Sequence, residues 1–398
     1  MADTTPAVAF KTKIFAFVAR LTTWCHPKPW PLLAMKNDKR DDSWCGERDQ
    51  GEKAKVDSVG VRGGGKRVIL RQRPIGDIKD VDFSVVSEAI PEPEPGEALI
   101  QAVLISLDPT HRIWASDVAQ YMPCVGLGTC MRAGVIGKVV KSTTGKLKVG
   151  SFVGGMGGVQ EYFCMPEAAL NPIVPGVPLS LNHSLFSVVI GLTAWVGFNI
   201  CEPKVGQTLV VSGAAGAVGS VAAQLGKARG MKVVGIAGSE DKVKWLTNVL
   251  KLDGVINYKT ESIADGLERC CPEGVDAYFD NVGGQTLEAV LSKMNRFGRI
   301  AYCGHIAGYN KGECDAVQIN QFQMILMRRI KVQGFVCVDH LPDLMACFAD
   351  LLELYIAGKM LVHEDIDTSG IENYPTVVKK LYNGANTGKL MMKVAPTE

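Results

Sequence analysis

Three evenly spaced glycines form the clearest candidate for a binding site in this sequence. Gly213, Gly216 and Gly219 follow the apolar run TLVVS and open the helix-like run VGSVAAQLGKARG. Glycines at such a junction allow a tight turn and a close backbone approach, and the free N–H groups of a helix N-terminus attract phosphate. The spacing G-x-x-G-x-x-G is one residue off the commoner dinucleotide-binding pattern, so the loop alone is a weak signal.

The chain around this loop alternates between strand-like and helix-like segments. Six apolar runs have the length and composition of buried strands: 208–213, 232–238, 254–258, 275–283, 298–304 and 331–338. Strands that alternate with helices predict an α/β fold with a doubly wound parallel sheet. A glycine loop after the first strand of such a sheet predicts dinucleotide binding.

The end of the second predicted strand bears on the choice between NAD and NADP. The strand runs out as GIAGSEDKVK, residues 235–244. An NAD site usually places a carboxylate here for the ribose 2′-hydroxyl, whereas a 2′-phosphate needs positive charge. Lys242 therefore favours NADP, although on spacing alone it could be a solvated helix lysine. Glu240 or Asp241 would support NAD if the strand end were shifted by one or two residues.

The part of the chain before the glycine loop favours short strands. Pro- and Gly-containing turns separate apolar runs at 67–74, 92–109, 133–140, 149–155 and 159–165. This pattern predicts a mostly β domain, such as a small barrel. A last strand-like run at 388–394 is predicted to return to that domain, which would make it discontinuous.

Composition and charge narrow the class of protein. With 47% hydrophobic residues, 21% charged residues and a formal charge of +2, the 398-residue chain has no bulk charge that would draw it to nucleic acid or anionic lipid. Twelve cysteines are scattered without the spacing of a disulfide framework, so we expect reduced thiols. The longest uncharged run, 184–201, contains polar residues and two glycines, which favours a buried helix over a membrane span.

Residues 1–65 differ from the rest of the chain, because no strand or helix period lasts in them. They are predicted to be a disordered extension outside the fold. The stretch between Thr4 and Asn37 has basic residues and no acidic ones, so an organelle-targeting segment is the alternative. Otherwise we expect the protein to be cytoplasmic.

Neither the cysteines nor the six histidines form the short-spaced clusters that a zinc site requires. Cys124 and Cys130 are the nearest pair in the first domain, and no group of four follows. We therefore predict no metal. Without a Lewis acid for an alkoxide, hydride addition to an activated C=C bond is the stronger hypothesis and alcohol oxidation the weaker one.

Longer strings in the chain resemble the zinc-independent medium-chain reductases, a family that includes prostaglandin reductase, plant alkenal double-bond reductase and bacterial curcumin reductase. The resemblance runs from about residue 66 to the end, and YFDNVGG at 278–284 and CGHIAGYN at 303–310 are among its most specific parts. It implies a Rossmann domain at 188–339, inserted in a GroES-like substrate domain at 66–187 and 340–398. It also implies a homodimer that uses NADPH to reduce the C=C bond of α,β-unsaturated aldehydes and ketones.

The same resemblance assigns site residues. Tyr309 would be the catalytic residue, because its hydroxyl, together with a ribose hydroxyl of NADPH, can donate to the oxygen that becomes an enolate. A phenol with an ordinary pKa of about 10 is a donor at neutral pH. The implied substrate contacts are Thr110, Arg112 and Tyr121. The implied cofactor contacts are Gly213, Gly216, Ala217, Val218, Gly219, Lys242, Tyr258, Asn281, Cys303, Gly304, Tyr309, Phe335, Val336, Cys337 and Asn386.

Two departures from the family pattern fall on expected substrate walls. Thr110 stands where the family usually has tyrosine, and residues 189–195 read VIGLTAW in place of the usual MPGLTAY. His111 or Tyr121 could fill the gap that the missing tyrosine leaves. Two other functions therefore stay open: an NADPH quinone reductase, and a catalytically silent NADPH-binding protein.

Overall fold

The computed structural model describes residues 64–311 and 319–397, so the extension expected at 1–65 lies outside it except for its last two residues. Within the described residues the chain forms two units. One contains residues 174–366 and 380–391, and the other contains 64–173, 367–379 and 392–397.

The described residues form the following strands and helices. The strands are β1 (Gly64–Leu70), β2 (Phe83–Ala89), β3 (Glu97–Ser106), β4 (Val135–Ser142), β5 (Phe152–Gly155), β6 (Tyr162–Pro166), β7 (Asn171–Pro172), β8 (Thr208–Ser212), β9 (Lys232–Ala237), β10 (Gly254–Asn257), β11 (Val275–Asp280), β12 (Met294–Tyr302), β13 (Lys331–Gly334), β14 (Glu364–Asp367) and β15 (Lys389–Lys393). The α-helices are α1 (Thr110–Trp114), α2 (Leu181–Ser184), α3 (Thr193–Ile200), α4 (Ala217–Ala228), α5 (Glu240–Lys244), α6 (Ile263–Cys270), α7 (Gly284–Lys293), α8 (Gln323–Arg328), α9 (Leu344–Ile356), α10 (Tyr374–Val378) and α11 (Lys380–Asn383). Two π-helical turns span Val188–Leu192 and Trp245–Val249, and short 3₁₀ turns span Asp80–Asp82, Glu167–Ala169, Asn320–Phe322, Cys337–Asp343 and Ile371–Asn373.

The first unit in the chain is mostly β. Strands β1 and β2 pair as an antiparallel ribbon, and β3 pairs antiparallel with both β4 and β6. The larger sheet has the order β14-β15-β3-β4-β5-β7, of which Asp367 in β14 and Met392–Lys393 in β15 belong to this unit. The apolar run predicted at 92–109 contains β3, whose residues Ile100, Leu104 and Ile105 are buried. The mostly β architecture predicted for this part of the chain is confirmed.

The other unit is built on a six-stranded parallel sheet with the order β10-β9-β8-β11-β12-β13. Side chains alternate between its two faces: Val211 and Phe279 belong to one apolar cluster, while Val210 and Tyr278 belong to another. A sheet that is buried on both faces reads as continuous Val- and Ile-rich runs. The predicted doubly wound Rossmann sheet is therefore confirmed, although β12 starts at Met294, four residues before the predicted run.

The uncharged run 184–201, predicted as a buried helix, covers the last residue of α2, a π-helical turn and α3. The helical segment Leu181–Ile200, which contains most of this run, is the one segment in the described residues that is long and apolar enough to cross a membrane, and 61% of its most apolar window is buried in the protein. The phenyl rings of Phe279 and Phe335 come within 2.6 Å of where a Cβ on Gly197 would lie. The absence of a side chain at Gly197 thus lets α3 lie directly against the sheet.

Candidate active site

The glycine loop joins the end of β8 to the start of α4. Gly213 has a φ of +60°, a left-handed conformation that favours glycine. A Cβ on Gly219 would overlap the carbonyl oxygen of Gly213, so the first turn of α4 can lie against the loop only with glycine there. Gly216 is the N-cap, and Ala217 and Val218 begin the helix. The loop thus places the N-terminus of the twelve-residue helix α4 at the carboxyl edge of the sheet, an arrangement suited to binding a pyrophosphate.

A turn near the C-terminus lies against this loop. The backbone N–H of Gly388 donates to the carbonyl of Ala215 at 2.8 Å, and Gly388 forms a parallel bridge with Gly216. Within the turn, Asn386 Nδ2 donates to the carbonyl of Gly388 at 3.2 Å. The structure therefore brings Asn386 to the phosphate loop, although the two are more than 160 residues apart in sequence.

Lys242 lies on α5, which begins after the end of β9. The Ser239 hydroxyl caps this helix by accepting from the Lys242 backbone N–H at 3.4 Å. The Lys242 ammonium donates to the carbonyl of Gly384 at 2.7 Å, in the same C-terminal turn. Burial lowers the pKa of Lys242, and the positive charge of Lys259 lowers it further. Two lysines close enough to repel each other form a natural site for an anion such as a 2′-phosphate.

One of the two carboxylates that kept NAD open, Glu240, is already engaged. Glu240 Oε1 accepts from Asn257 Nδ2 at 2.9 Å. Next to Asn257, half-exposed Tyr258 packs over the end of β9, where its Oη lies 2.5 Å from the Cβ position of Gly238. The end of β9 therefore offers an aromatic surface and positive charge, which suits the adenosine 2′-phosphate side of NADP.

The opposite end of the candidate cofactor site is formed where β11 and β12 end. Asn281 is fixed by two hydrogen bonds to Ser212, from its Nδ2 to the carbonyl at 2.7 Å and from its N–H to the hydroxyl at 2.9 Å. The turn from Cys303 to Tyr309 lies on this segment, with Cys303 N–H donating to the Asp280 carbonyl at 2.8 Å. Residues 281 and 303–309 are thus held together as one surface.

Tyr309 is mostly enclosed within that turn. Its hydroxyl oxygen accepts from the backbone N–H of His305 at 3.1 Å. Burial raises the pKa of Tyr309 above its ordinary value, and the neighbouring Cys303 and Asp280 raise it further, although the His305 N–H opposes this shift. The phenol therefore keeps its proton at neutral pH and has it available to donate.

Apolar groups complete this end of the unit. The rings of Phe335 and Phe279 meet edge to face with centroids 6.4 Å apart. Val336 precedes the 3₁₀ turn that starts at Cys337. Burial raises the pKa of the Cys303 thiol, and Cys337 beside it adds to the shift. The Cys303 thiol is thus a neutral, weakly polar group.

The three predicted substrate residues lie in the other unit. Thr110 starts α1, and its buried hydroxyl has no hydrogen-bond partner among the described residues. Arg112 is buried and donates to the carbonyls of Pro74 and Gly76, each at 3.1 Å. Tyr121 is 44% exposed. The contacts of Arg112 favour support of the 74–76 turn.

His111, considered as a replacement for the missing tyrosine, is fully buried. Its Nδ1 lies 3.0 Å from the hydroxyl of Tyr374, and its ring packs against Trp114 with centroids 5.5 Å apart. Because the imidazole is part of the core of its unit, it does not present itself to a substrate. Thr110 itself, with a shorter hydrogen bond, and Tyr121 stay the predicted alternatives.

Sequence reasoning missed three polar residues near these sites. Lys259 follows Tyr258 directly, so its charge could have been noticed. Tyr302 precedes the predicted turn and His305 lies within it, but their mutual contact follows from no spacing rule. No cluster of three or more His, Cys, Asp or Glu side chains able to hold a metal occurs in 64–311 or 319–397.

Comparisons with known proteins agree with this architecture. Two family descriptions match, "N-terminal domain of oxidoreductase" over residues 66–173 and "zinc-binding dehydrogenase" over 217–354. The chain is 35% identical to the NADP(+)-dependent 2-alkenal reductase of Nicotiana tabacum over 342 residues, covering 83% of this chain and 97% of the relative. It is 32% identical to the NADPH-dependent curcumin reductase of Escherichia coli (strain K12) over 338 residues, covering 83% and 97%.

A solved structure has the same architecture. The crystal structure of CurA from Vibrio vulnificus in complex with NADPH superposes with a TM-score of 0.78 at 33% identity, covering 83% of this chain and 99% of that one. Sequence and fold therefore agree over nearly the whole length of these relatives. The chain belongs to the zinc-independent branch of the medium-chain dehydrogenase/reductase family, as the sequence motifs predicted.

Proposed function

We propose that the protein is an NADPH-dependent reductase of the C=C bond of α,β-unsaturated aldehydes and ketones. The observation that carries this proposal is the Tyr309 turn, in which a half-buried phenol with a raised pKa accepts from the His305 N–H next to the ends of β11 and β12. The relatives named above support the same reaction, since one is a 2-alkenal reductase and another a curcumin reductase.

The residues of the parallel-sheet unit fit NADPH. The loop from Gly213 to Gly219 would hold the pyrophosphate, and Lys242 with Lys259 would hold the 2′-phosphate. Tyr258 would cover the adenosine side. Asn281 would contact the central part of the cofactor. The nicotinamide half would be held by Cys303, Gly304, Tyr309, Phe335, Val336, Cys337 and Asn386. When bound, NADPH supplies the hydride that is added to the β-carbon.

The chemistry left to the protein is charge stabilisation at the carbonyl oxygen. As the β-carbon is reduced, that oxygen takes on enolate charge, and a positioned hydrogen-bond donor lowers the barrier. The Tyr309 hydroxyl can donate because its oxygen already accepts from His305 N–H, which leaves the phenolic proton for the substrate. Protonation of the α-carbon then comes from Tyr309 or from water. Thr110 and Tyr121 are the proposed substrate contacts in the other unit, where the Arg112 guanidinium supports the 74–76 turn.

We further propose a homodimer formed at the edge of the parallel sheet. Strand β13 ends the sheet order, and Leu326 and Met327 on the neighbouring α8 are 73% and 58% exposed. An unpaired strand edge beside apolar side chains favours pairing with a second copy.

Turnover of a small substrate panel tests the proposed reaction. NADPH absorbance is followed with a medium-chain 2-alkenal, an aryl enone, a quinone and a saturated aldehyde, and each is repeated with NADH. We expect fastest oxidation with the alkenal or enone, saturated carbonyl product and a strong preference for NADPH. Faster quinone turnover would overturn the proposal in favour of a quinone reductase. Tight NADPH binding without any turnover would indicate a silent binding protein.

A further inference from the structure

The turn that carries Tyr309 also contains a histidine whose imidazole is enclosed on several sides. His305 Nδ1 lies 2.7 Å from the hydroxyl of Tyr302. A Cβ on Gly283 would overlap that same nitrogen, and a Cβ on Gly308 would overlap Cδ2 and Nε2 on the other edge of the ring. The imidazole therefore occupies a slot between two glycines and has little freedom to change rotamer.

The backbone of the same residue sets the position of the catalytic hydroxyl. His305 N–H is the donor to Tyr309 Oη, at 3.1 Å. The following residues anchor the turn to the end of β11, because Ile306 N–H donates to the Asn281 carbonyl at 3.4 Å and Ala307 N–H donates to the Val282 carbonyl at 3.2 Å. Side chain and backbone of His305 thus connect the glycine slot to Tyr309.

The partner of the imidazole is held in its protonated form. Burial, followed by the charge of Asp280, raises the pKa of Tyr302 to about 12. Asp280 is itself buried and accepts from Ser212, from Tyr278 and from the N–H groups that follow it. A neutral phenol next to the imidazole gives a hydrogen bond that persists across the pH range in which most enzymes are assayed.

We propose that His305 is a positioning residue of the reductase. Held by Tyr302 and by the slot between Gly283 and Gly308, it fixes the N–H that orients the Tyr309 hydroxyl toward the substrate carbonyl. The inference rests on the proposed function, in which Tyr309 stabilises the enolate. Misplacing a catalytic group by about 1 Å can cost roughly a hundredfold in rate, so an indirect residue can matter.

The first test is His305→Ala, which empties the slot. We expect kcat to fall roughly ten- to hundredfold, while KM and the Kd for NADPH change less than about twofold. Added imidazole should restore part of the lost kcat by refilling the slot. Tyr302→Phe should give a smaller loss in the same direction. The matched control is His340→Ala, because the His340 imidazole pairs instead with Asp343, with 3.5 Å between Nδ1 and Oδ2. Neither the kcat of this variant nor its response to imidazole should differ from the wild type.

A double-mutant cycle separates positioning from general structural damage. If His305 acts through Tyr309, the variant with both His305→Ala and Tyr309→Phe should be no slower than Tyr309→Phe alone. Multiplying losses would show that His305 contributes independently of Tyr309, and the proposal would be wrong.

A readout that needs no turnover keeps this inference distinct from the proposed function. In protein whose tyrosines carry ¹³C at Cζ, each tyrosine gives an NMR signal. The signal that is missing from Tyr309→Phe is assigned to Tyr309. We expect that signal to shift in His305→Ala and to move back with imidazole. A responsive signal in a protein that reduces no enone would reject the proposed function and keep the positioning role. Enone reduction with both kcat and the signal unchanged in His305→Ala would reject the positioning role alone.

Discussion

At the scale of single residues, the proposed site uses different kinds of chemical group to bind the cofactor phosphates and the substrate oxygen. We propose that backbone N–H groups and lysines bind the phosphates, whereas the half-buried phenol of Tyr309 donates to the carbonyl. Lys242 is half-buried and has a lowered pKa, because burial and Lys259 both disfavour its charge. An anion between the two lysines would relieve this repulsion, so their charge gives specificity for a phosphorylated ribose.

Replacing Lys242 should therefore change the cofactor preference. We expect Lys242→Ala to weaken NADPH binding roughly ten- to hundredfold, the effect of losing a charge-assisted hydrogen bond of about 1.5–3 kcal/mol, and to leave NADH binding nearly unchanged. Fluorescence titration with both cofactors measures the effect. Lys244→Ala is the matched control, because Lys244 lies on the same helix and is exposed. Equal losses for both cofactors would contradict the role of Lys242.

Tyr309→Phe should lower kcat by roughly two to three orders of magnitude, as for the loss of an oxyanion donor, with little change in the Kd for NADPH. The pH profile follows from the raised pKa of Tyr309: the donating form is complete below the ordinary phenol pKa of about 10 and is lost only above it. Rates of the wild type should therefore show no loss of this donor between neutral pH and that value. Tyr355→Phe, at a ring contact with Phe186, is the control that should keep full activity.

At the scale of elements, periodicity predicted the strands but not the contacts between distant turns. Alternating apolar runs gave the six parallel strands, and the glycine spacing predicted the loop between β8 and α4. The hydrogen bond from Lys242 to Gly384 joins residues 142 apart, and no local pattern could have predicted it. The same holds for the slot around His305, which requires glycines from two different turns.

The loop between β8 and α4 depends on close approach at one glycine. Gly219→Ala would drive a Cβ into the Gly213 carbonyl, so backbone must move. We expect a loss of stability of about 1–3 kcal/mol and an NADPH Kd that rises at least tenfold. Thermal melts and titrations test this expectation. Gly154→Ala is the control, because a Cβ there would lie 3.9 Å from its nearest neighbours. Undisturbed NADPH binding in Gly219→Ala would show that the loop does not hold the pyrophosphate.

At the scale of the whole molecule, the predicted site residues are divided between the two units. One unit contains the predicted cofactor contacts, and the other contains the predicted substrate contacts. The parallel-sheet unit contains every predicted cofactor residue. The substrate residues were harder to predict, because Thr110 and Arg112 differ in what their side chains contact even though they lie two residues apart. Chemical type alone could not separate the unpaired hydroxyl of Thr110 from the guanidinium that supports a turn.

The last prediction concerns dimer formation at the edge of the parallel sheet. Strand β13 is the outer strand, and Leu326 and Met327 expose apolar surface next to it. Burying such side chains in a dimer contributes about 1.5–3 kcal/mol each, so Leu326→Lys with Met327→Lys should convert dimers to monomers. Light scattering coupled to size exclusion gives the mass directly. Val205→Lys, an exposed apolar residue outside β13 and α8, should leave the dimer intact. A wild-type protein that is monomeric at micromolar concentration would show that this edge is not an interface.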